Sequence, residues 1–420
     1  MPFVRLIIAL CWALSLTALA LTSTSAAHGH QGLQGGWAID DSGHVNFVHS
    51  VTSELPYMQQ AGAGAIRINF RLGACFSTWT APGCSTADGA NALAVYDTVV
   101  NTALSPPYDL QVIGLISNES WNGSQAQWTA NNAENTSRSG DNTYIQNFAT
   151  NAAGVLASHF AGRITTWEVW NEPNAWTSNP SPTVFTGGTF IYPSNFAWLL
   201  KRSYAAIKSA EPGTSSTVIS GGLFGHDAGG AAMPATTVTG SPTTVVKHGN
   251  VASPTRAPGG TTATCTSSVP SGADYLCNTY TSGRKNAGWK AGAYPLDRVG
   301  QHLYIDQSGT TSSSKISAYL QDVRNAYVAF EGSSTAKRTE LTEFGWVANP
   351  SSATFSADAA NQASNVTTAY TTFHSTPYVA RADYFVAQDV PEGNVFYGLV
   401  EGDGTTYKPA FQSYVSAAAY

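Results

Sequence analysis

The chain is poor in charge. Of its 420 residues only 11% are Asp, Glu, Lys or Arg, against roughly 25% in an average soluble domain, so its surface is polar without being ionic. The formal net charge is −6 and no block of Lys and Arg occurs. A nucleic-acid binder needs clustered cations to displace counterions from phosphates, and that class is excluded. Long apolar runs are also missing beyond the first 27 residues. Leu6 to Leu21 forms one apolar stretch behind Arg5, short for a membrane span. With the small residues Ser25-Ala26-Ala27 after it, residues 1–27 read as a signal peptide removed on export. An uncleaved anchor is the alternative. Residues 28–420 are expected to be extracellular, without membrane contact once the signal is removed.

Cysteine is scarce as well, with five in the chain. Cys11 leaves with the signal. The others fall in two local pairs, Cys75 with Cys84 and Cys265 with Cys277. Four cysteines allow three connectivities, and local spacing in an oxidising compartment favours these two bridges. A metal site built from the four thiolates is disfavoured by the absence of any C-x-x-C pair. Apolar material, in contrast, is ample. The chain is 43% hydrophobic and 11% aromatic, which excludes disorder as the dominant state.

Short apolar runs alternate with amphipathic helical patterns along the mature chain. Ala65 to Phe70, Leu110 to Ile116, Thr165 to Trp170, Thr217 to Gly221, Val299 to Tyr304, Arg338 to Thr342 and Ala382 to Ala387 read as strands, with Gly36 to Ile39 a weaker first one. Between them, Ile145, Phe148, Ala152, Val155, Leu156 and Phe160 share a helical face that Gly162 ends. Ser194 is placed to cap a helix carrying Phe196, Leu199, Leu200 and Ile207, and Ile316, Leu320, Val323 and Tyr327 form another stripe. Eight strands alternating with helices predict a single (β/α)8 TIM barrel of α/β class. A doubly wound open sheet is the alternative. From His226 to about Asp297 the chain is rich in Gly, Thr, Ser and Pro and carries the Cys265/Cys277 pair. This region reads as a disulfide-pinned insertion after strand five, or as a passive surface loop.

Strand parity locates the inward groups. In strand two Arg67 and Asn69 share a face opposite Ile66, Ile68 and Phe70. A buried guanidinium is costly unless paired, so Arg67 requires a carboxylate from another strand. Strand four ends Trp167-Glu168-Val169-Trp170-Asn171-Glu172-Pro173-Asn174, which puts an amide and an acid at the C-terminal face where barrel active sites lie. Glu168, deeper on the same strand, suits a structural ion pair. Strand seven ends Thr342-Glu343-Phe344-Gly345-Trp346 and delivers a second acid, Glu343, to the same mouth. Two carboxylates facing each other across a barrel mouth suit glycoside hydrolysis. The alternative, from another functional class, is a carbohydrate-binding barrel without turnover.

Trp167 to Asn174 resembles the acid/base motif of retaining glycoside hydrolases of clan A, closest in wording to family 39, and Thr342 to Trp346 resembles the nucleophile strand of family 5. The resemblance implies Glu172 as acid/base, Glu343 as nucleophile and Asn171 as a ligand of the sugar 2-hydroxyl. It sets His302-Leu303-Tyr304 at the end of strand six, with Tyr304 against the nucleophile, and places Arg67 beside the nucleophile too. His302 joins the substrate-binding set. Strand eight has Phe385 where the clan often has Trp, so the sugar platform falls to Phe385 or Trp346. Trp121, Trp128 and Trp176 are further stacking candidates. No cofactor and no metal is expected; the partner is a carbohydrate substrate, and the protein is expected to be a monomer.

Overall fold

The computed structural model of the chain describes residues 31–40, 44–45, 51–72, 85–121, 140–175, 189, 191–211, 213, 215–224, 272–307 and 309–418. The strands are β1 (Gln31–Gln34), β2 (Ala65–Asn69), β3 (Gln111–Ile116), β4 (Thr166–Asn171), β5 (Thr217–Gly222), β6 (Arg298–Leu303), β7 (Arg338–Phe344) and β8 (Val379–Tyr384). All pair in parallel, each with its neighbour in sequence, and β8 pairs with β1, closing the barrel. The open-sheet alternative is thereby excluded. The first strand lies earlier than predicted, at Gln31–Gln34 and not at Gly36 to Ile39, because Gln31, Gly32 and Leu33 register with Ala382, Asp383 and Tyr384. The last strand ends at Tyr384, short of Ala387.

Helices α1 (Val51–Gln60), α2 (Ala92–Leu104), α3 (Thr143–Asn147), α4 (Val155–His159), α5 (Pro193–Ala210), α6 (Gly272–Lys285), α7 (Ser313–Glu331), α8 (Phe355–His374) and α9 (Pro409–Ala418) surround the sheet. Local chemistry sets several starts: the Asn91, Asn142 and Ser312 side chains accept N–H groups of the first turns of α2, α3 and α7, as capping residues do. Helix α5 differs from expectation. It begins on Pro193, whose fixed φ suits the first helical position, so Ser194 lies inside the helix and does not cap it. Between α3 and α4 the chain makes a π-helical turn, Phe148–Gly154. Its wider winding shifts the apolar face, leaving Val155 half-buried while Ala153 and Ala157 are buried. The stripes on α5 and α7 are buried as their periodicity predicts. Among the described residues no helix is long and apolar enough to cross a membrane.

The main core lies between strands and helices. Phe70 packs against Tyr96, Phe160 and Trp167 at ring-centroid distances of 4.7–5.8 Å. On the opposite side Phe344 meets Tyr370, Phe373 and Tyr384 at 5.1–5.4 Å. A second, small apolar cluster, Ala65, Ile113 and Ile219, lies apart from that core. Among the inward positions Arg67, Glu168, Glu340 and Asp383 are polar, all buried. Residues 225–271 lie outside the described residues, and α6 returns the chain to β6. Cys277 is buried on α6, whereas Cys75, Cys84 and Cys265 lie outside the described residues, so both bridges and the pinned insertion remain expectations.

Gly114 on β3 is where packing demands glycine. A Cβ there would lie 2.4 Å from the Trp167 indole and 3.2 Å from the Phe70 ring. Overpacking a core of this kind costs about 1–3 kcal/mol. Gly114→Ala should lower the unfolding free energy by that amount, read as a lower urea midpoint at an unchanged slope; an unaltered midpoint would show that the β3–β4 seam has slack.

Candidate active site

The site starts from Arg67. Its guanidinium is 1% exposed at the barrel axis and reaches three other strands. Nε donates to Glu168 Oε2 of β4 at 2.5 Å, Nη1 to Gln34 Oε1 of β1 and Glu343 Oε1 of β7 at 2.6 Å each, and Nη2 to Asn171 Oδ1 at 3.1 Å. The carboxylate that Arg67 required is thus supplied twice. Burial works against its charge, but Glu168 and Glu343 raise its pKa above the ordinary arginine value. The other oxygen of Glu168 accepts the Gly222 N–H at 2.8 Å and the Thr342 hydroxyl at 2.9 Å. A buried carboxylate so fully bonded is an anchor, as its depth on the strand implied.

Strand alternation would send Thr342 and Glu343 to opposite faces. Both nevertheless bond inward. The reason is a register shift between β6 and β7: Gln301 pairs with Leu341, but His302 pairs with Glu343, leaving Thr342 extra. Such bulges re-aim side chains beside active sites. Glu343 Oε2 then accepts the Tyr304 hydroxyl at 2.8 Å. Burial pushes the Glu343 carboxyl up, yet His302, Arg67 and Tyr304 outweigh it and hold it below the usual carboxylate range.

Glu172 is aimed differently. It lies one residue past β4, where the backbone is bent into the left-handed region at Trp170 (φ 77°) and Glu172 (φ 43°). Non-glycine residues occupy that region at a cost of about 1–3 kcal/mol each unless their surroundings hold them. Here the Trp170 indole N–H donates to Thr189 O at 2.7 Å, and the Thr189 hydroxyl donates to Glu172 O at 2.8 Å. The carboxyl meets His302, whose Nδ1 lies 2.8 Å from Glu172 Oε1 and 3.5 Å from Glu343 Oε2. His302 is fully buried over Gly222, where a Cβ would come within 2.1 Å of its Nε2. Burial lowers the imidazole pKa, but Glu343 and Glu172 together raise it above the ordinary histidine value.

Arg67, Asn171, Glu172, His302, Tyr304 and Glu343 therefore converge at one end of the barrel. Trp346 does not face that space. It is 1% exposed, its indole N–H donates to Ile305 O at 2.7 Å, and it packs on Phe344. Phe385 is half-buried, with its ring 6.2 Å from Tyr304. Trp121 is half-buried against the core; Trp128 and Trp176 lie outside the described residues. Sequence reading missed Tyr397, whose ring stands 5.5 Å from Tyr304 and 5.6 Å from Phe385. It lies on the loop after β8, where no periodicity marks it.

One ligand atom each from Glu172, His302 and Glu343 lie within 4.8 Å of one another, a spacing a metal could bridge. The Arg67 guanidinium beside Glu343 would repel such a cation, and His302 Nδ1 is already engaged with Glu172. Of the two acids, Glu343 is held toward its anion by His302, Arg67 and Tyr304, and Glu172 lies against His302.

No family model and no curated protein matches the chain. Solved structures share its architecture. A family 39 glycoside hydrolase from the gut symbiont Bacteroides cellulosilyticus superposes with a TM-score of 0.53 at 14% identity, over 93% of this chain and 64% of that one. The chain thus spans just under two-thirds of that protein's length. A family 1 β-glucosidase from Thermotoga maritima gives a TM-score of 0.55 at 12% identity, covering 93% and 98% of the two chains. A GH5-4 broad-specificity endoglucanase from Clostridium acetobutylicum gives 0.54 at 12% identity, covering 93% and 97%. These are glycoside hydrolases of clan A, the group that the strand-end motifs resemble, and the likeness establishes the shared barrel fold.

The lowered pKa of Glu343 has a consequence for stability. A carboxylate depressed in the folded state stabilises fully above its unfolded value, about 4.3, and that contribution is lost as pH falls through the lower folded value. Glu343→Gln should therefore lose less melting temperature than the wild type between about pH 5 and pH 2.5. Parallel acid limbs would show that Glu343 has no preferential stabilisation as an anion.

Proposed function

We propose that the chain is a secreted retaining β-glycosidase that hydrolyses O-glycosidic bonds of a poly- or oligosaccharide by double displacement. The observation that carries this reading is the close approach of the two acids. Ligand oxygens of Glu172 and Glu343 lie within 4.8 Å of each other. Retaining enzymes hold their carboxyl groups about 5–5.5 Å apart and inverting ones roughly 6.5–9.5 Å, to admit a water. On this reading Glu343, kept anionic by Arg67 and Tyr304, attacks the anomeric carbon while Glu172 donates a proton to the departing oxygen. Glu172 then removes a proton from water, which displaces Glu343 and restores both acids. Asn171, oriented by Arg67, binds the sugar 2-hydroxyl, where a hydrogen bond strengthens as the oxocarbenium ion develops. His302 orients Glu172 from below. No cofactor takes part, and the protein acts as a monomer on a carbohydrate. The ionised nucleophile favours this reading over a barrel that only binds sugar.

The two acids should fail differently when removed. Glu172→Ala should lose about 10²–10⁴-fold in kcat on substrates with poor leaving groups, keep its glycosylation step with activated aryl glycosides, and be rescued by azide to a β-glycosyl azide. Glu343→Ala should lose activity on every substrate, and any azide rescue should give the α-product. The reverse pattern would exchange the roles. Inverted configuration in the first product formed by the wild type would overturn the retaining mechanism.

Export and bridging are tested together by mass. The secreted protein should begin at His28, and unreduced peptides should show Cys75–Cys84 and Cys265–Cys277 pairs. An N-terminus at Met1 would overturn the signal, and crossed pairs or four free thiols would overturn the bridges.

A further inference from the structure

Most tyrosine hydroxyls of this barrel have partners within the protein. Around the site, Tyr304 donates to Glu343, Tyr384 to the Tyr397 carbonyl and Tyr275 to the Ile191 carbonyl. Tyr397 is different. No described residue hydrogen-bonds its hydroxyl, although its ring is packed edge-on against Tyr304 and Phe385. Burial first, then the charges of Glu172 and Glu343, push its pKa up to about 12. Its hydroxyl therefore lies within electrostatic reach of both acids and stays a neutral donor and acceptor at working pH.

The position of Tyr397 is also fixed to an unusual degree for a loop residue. Its carbonyl accepts the Tyr384 hydroxyl at 3.0 Å and the Gln362 amide of α8 at 3.2 Å. The next residue, Gly398, donates its N–H to Asp389 Oδ1 at 2.7 Å. Its backbone packs so closely on Asp389 that a Cβ would fall 2.3 Å from that residue's nitrogen. Asp389 is in turn paired with Lys408 at 2.7 Å, and Lys408 Nζ donates to Ala348 O at 2.7 Å. Gln362, Asp389 and Lys408 are all buried. Tyr384, Gln362, Asp389 and Lys408 thus hold the backbone around one ring whose hydroxyl no described residue hydrogen-bonds. A buried network of this kind specifies geometry more than stability.

We propose that Tyr397 is a substrate-contacting, specificity-determining residue: its hydroxyl hydrogen-bonds one hydroxyl of the sugar ring that Glu343 attacks, and its ring, with Phe385, walls that sugar. The proposal rests on the glycosidase reading. A purely structural ring would serve equally well as phenylalanine, which is where the two roles part.

The test compares wild type with Tyr397→Phe on aryl β-glycosides and on the matching monodeoxy series, with melting temperatures measured alongside. The variant should melt like the wild type and lose about tenfold in kcat/KM on the parent glycoside, as loss of one hydrogen bond implies. For one monodeoxy substrate the two proteins should be equal, which identifies the contacted hydroxyl. An active wild type matched by Tyr397→Phe on the parent substrate would overturn the contact alone. So would an equal loss by the variant on every deoxy substrate. A wild type silent on the whole panel would overturn the glycosidase reading and the contact with it.

Discussion

The buried guanidinium of Arg67 is the constraint on which the rest of the site depends. A cation removed from water inside a barrel is tolerable only when its donors are met and its charge is balanced. Here the partners come from β1, β4 and β7, so closing the barrel and assembling the site are one problem. Gln34, Glu168, Asn171 and Glu343 all converge on the same group. Glu168 extends the lattice to Gly222 of β5 and Thr342 of β7. Five strands are thus referenced to one side chain, which fixes Glu343 and Asn171 relative to each other without help from the loops.

Around that lattice, two chemically identical side chains acquire different characters. Glu343 is surrounded by a guanidinium, a phenol and an imidazole, each favouring its anion. Glu172 has a backbone geometry of its own, set by left-handed residues at Trp170 and Glu172, and among the described residues its carboxyl pairs with His302. Environment, not residue type, sets two such carboxyls apart. The low charge of the chain acquires meaning in this light. With only 20 Lys and Arg and 26 Asp and Glu, the protein still places Arg67, Glu168, Glu340, Glu343, Asp383, Asp389 and Lys408 in buried positions. A share of its few charges is thus committed to buried ion pairs and hydrogen bonds.

Much of this was legible in the linear chain. The alternation of apolar strands with amphipathic helices pointed to an α/β fold with a parallel sheet, because each period reports which face must leave water, and the β8–β1 pairing then closed it into a barrel. The need of Arg67 for a carboxylate followed from the cost of burying charge, and the acids ending strands four and seven were marked by their place in the alternation. Where the reading missed, the causes were tertiary. Gly36 to Ile39 is as apolar as a strand, but pairing with β8 selects Gln31–Gln34. Ser194 has the chemistry of a cap, yet Pro193 already starts the helix. Trp346 follows β7, but its indole is drawn into the core by the Ile305 carbonyl and the Phe344 ring.

The sequence by itself determined which residue types must meet: a buried cation, its counter-charges, and two acids at the ends of parallel strands. Only the tertiary structure decided how they point. The bulge that turns Glu343 inward beside Thr342, the left-handed backbone that aims Glu172 at His302, and the buried anchors that hold Tyr397 against Tyr304 all arise from contacts between segments distant in the chain. Periodicity records which side of one element is buried. It carries no signal for a register shift between two strands or for a loop held by partners many residues away, because those depend on pairing energies that exist only once the barrel has closed.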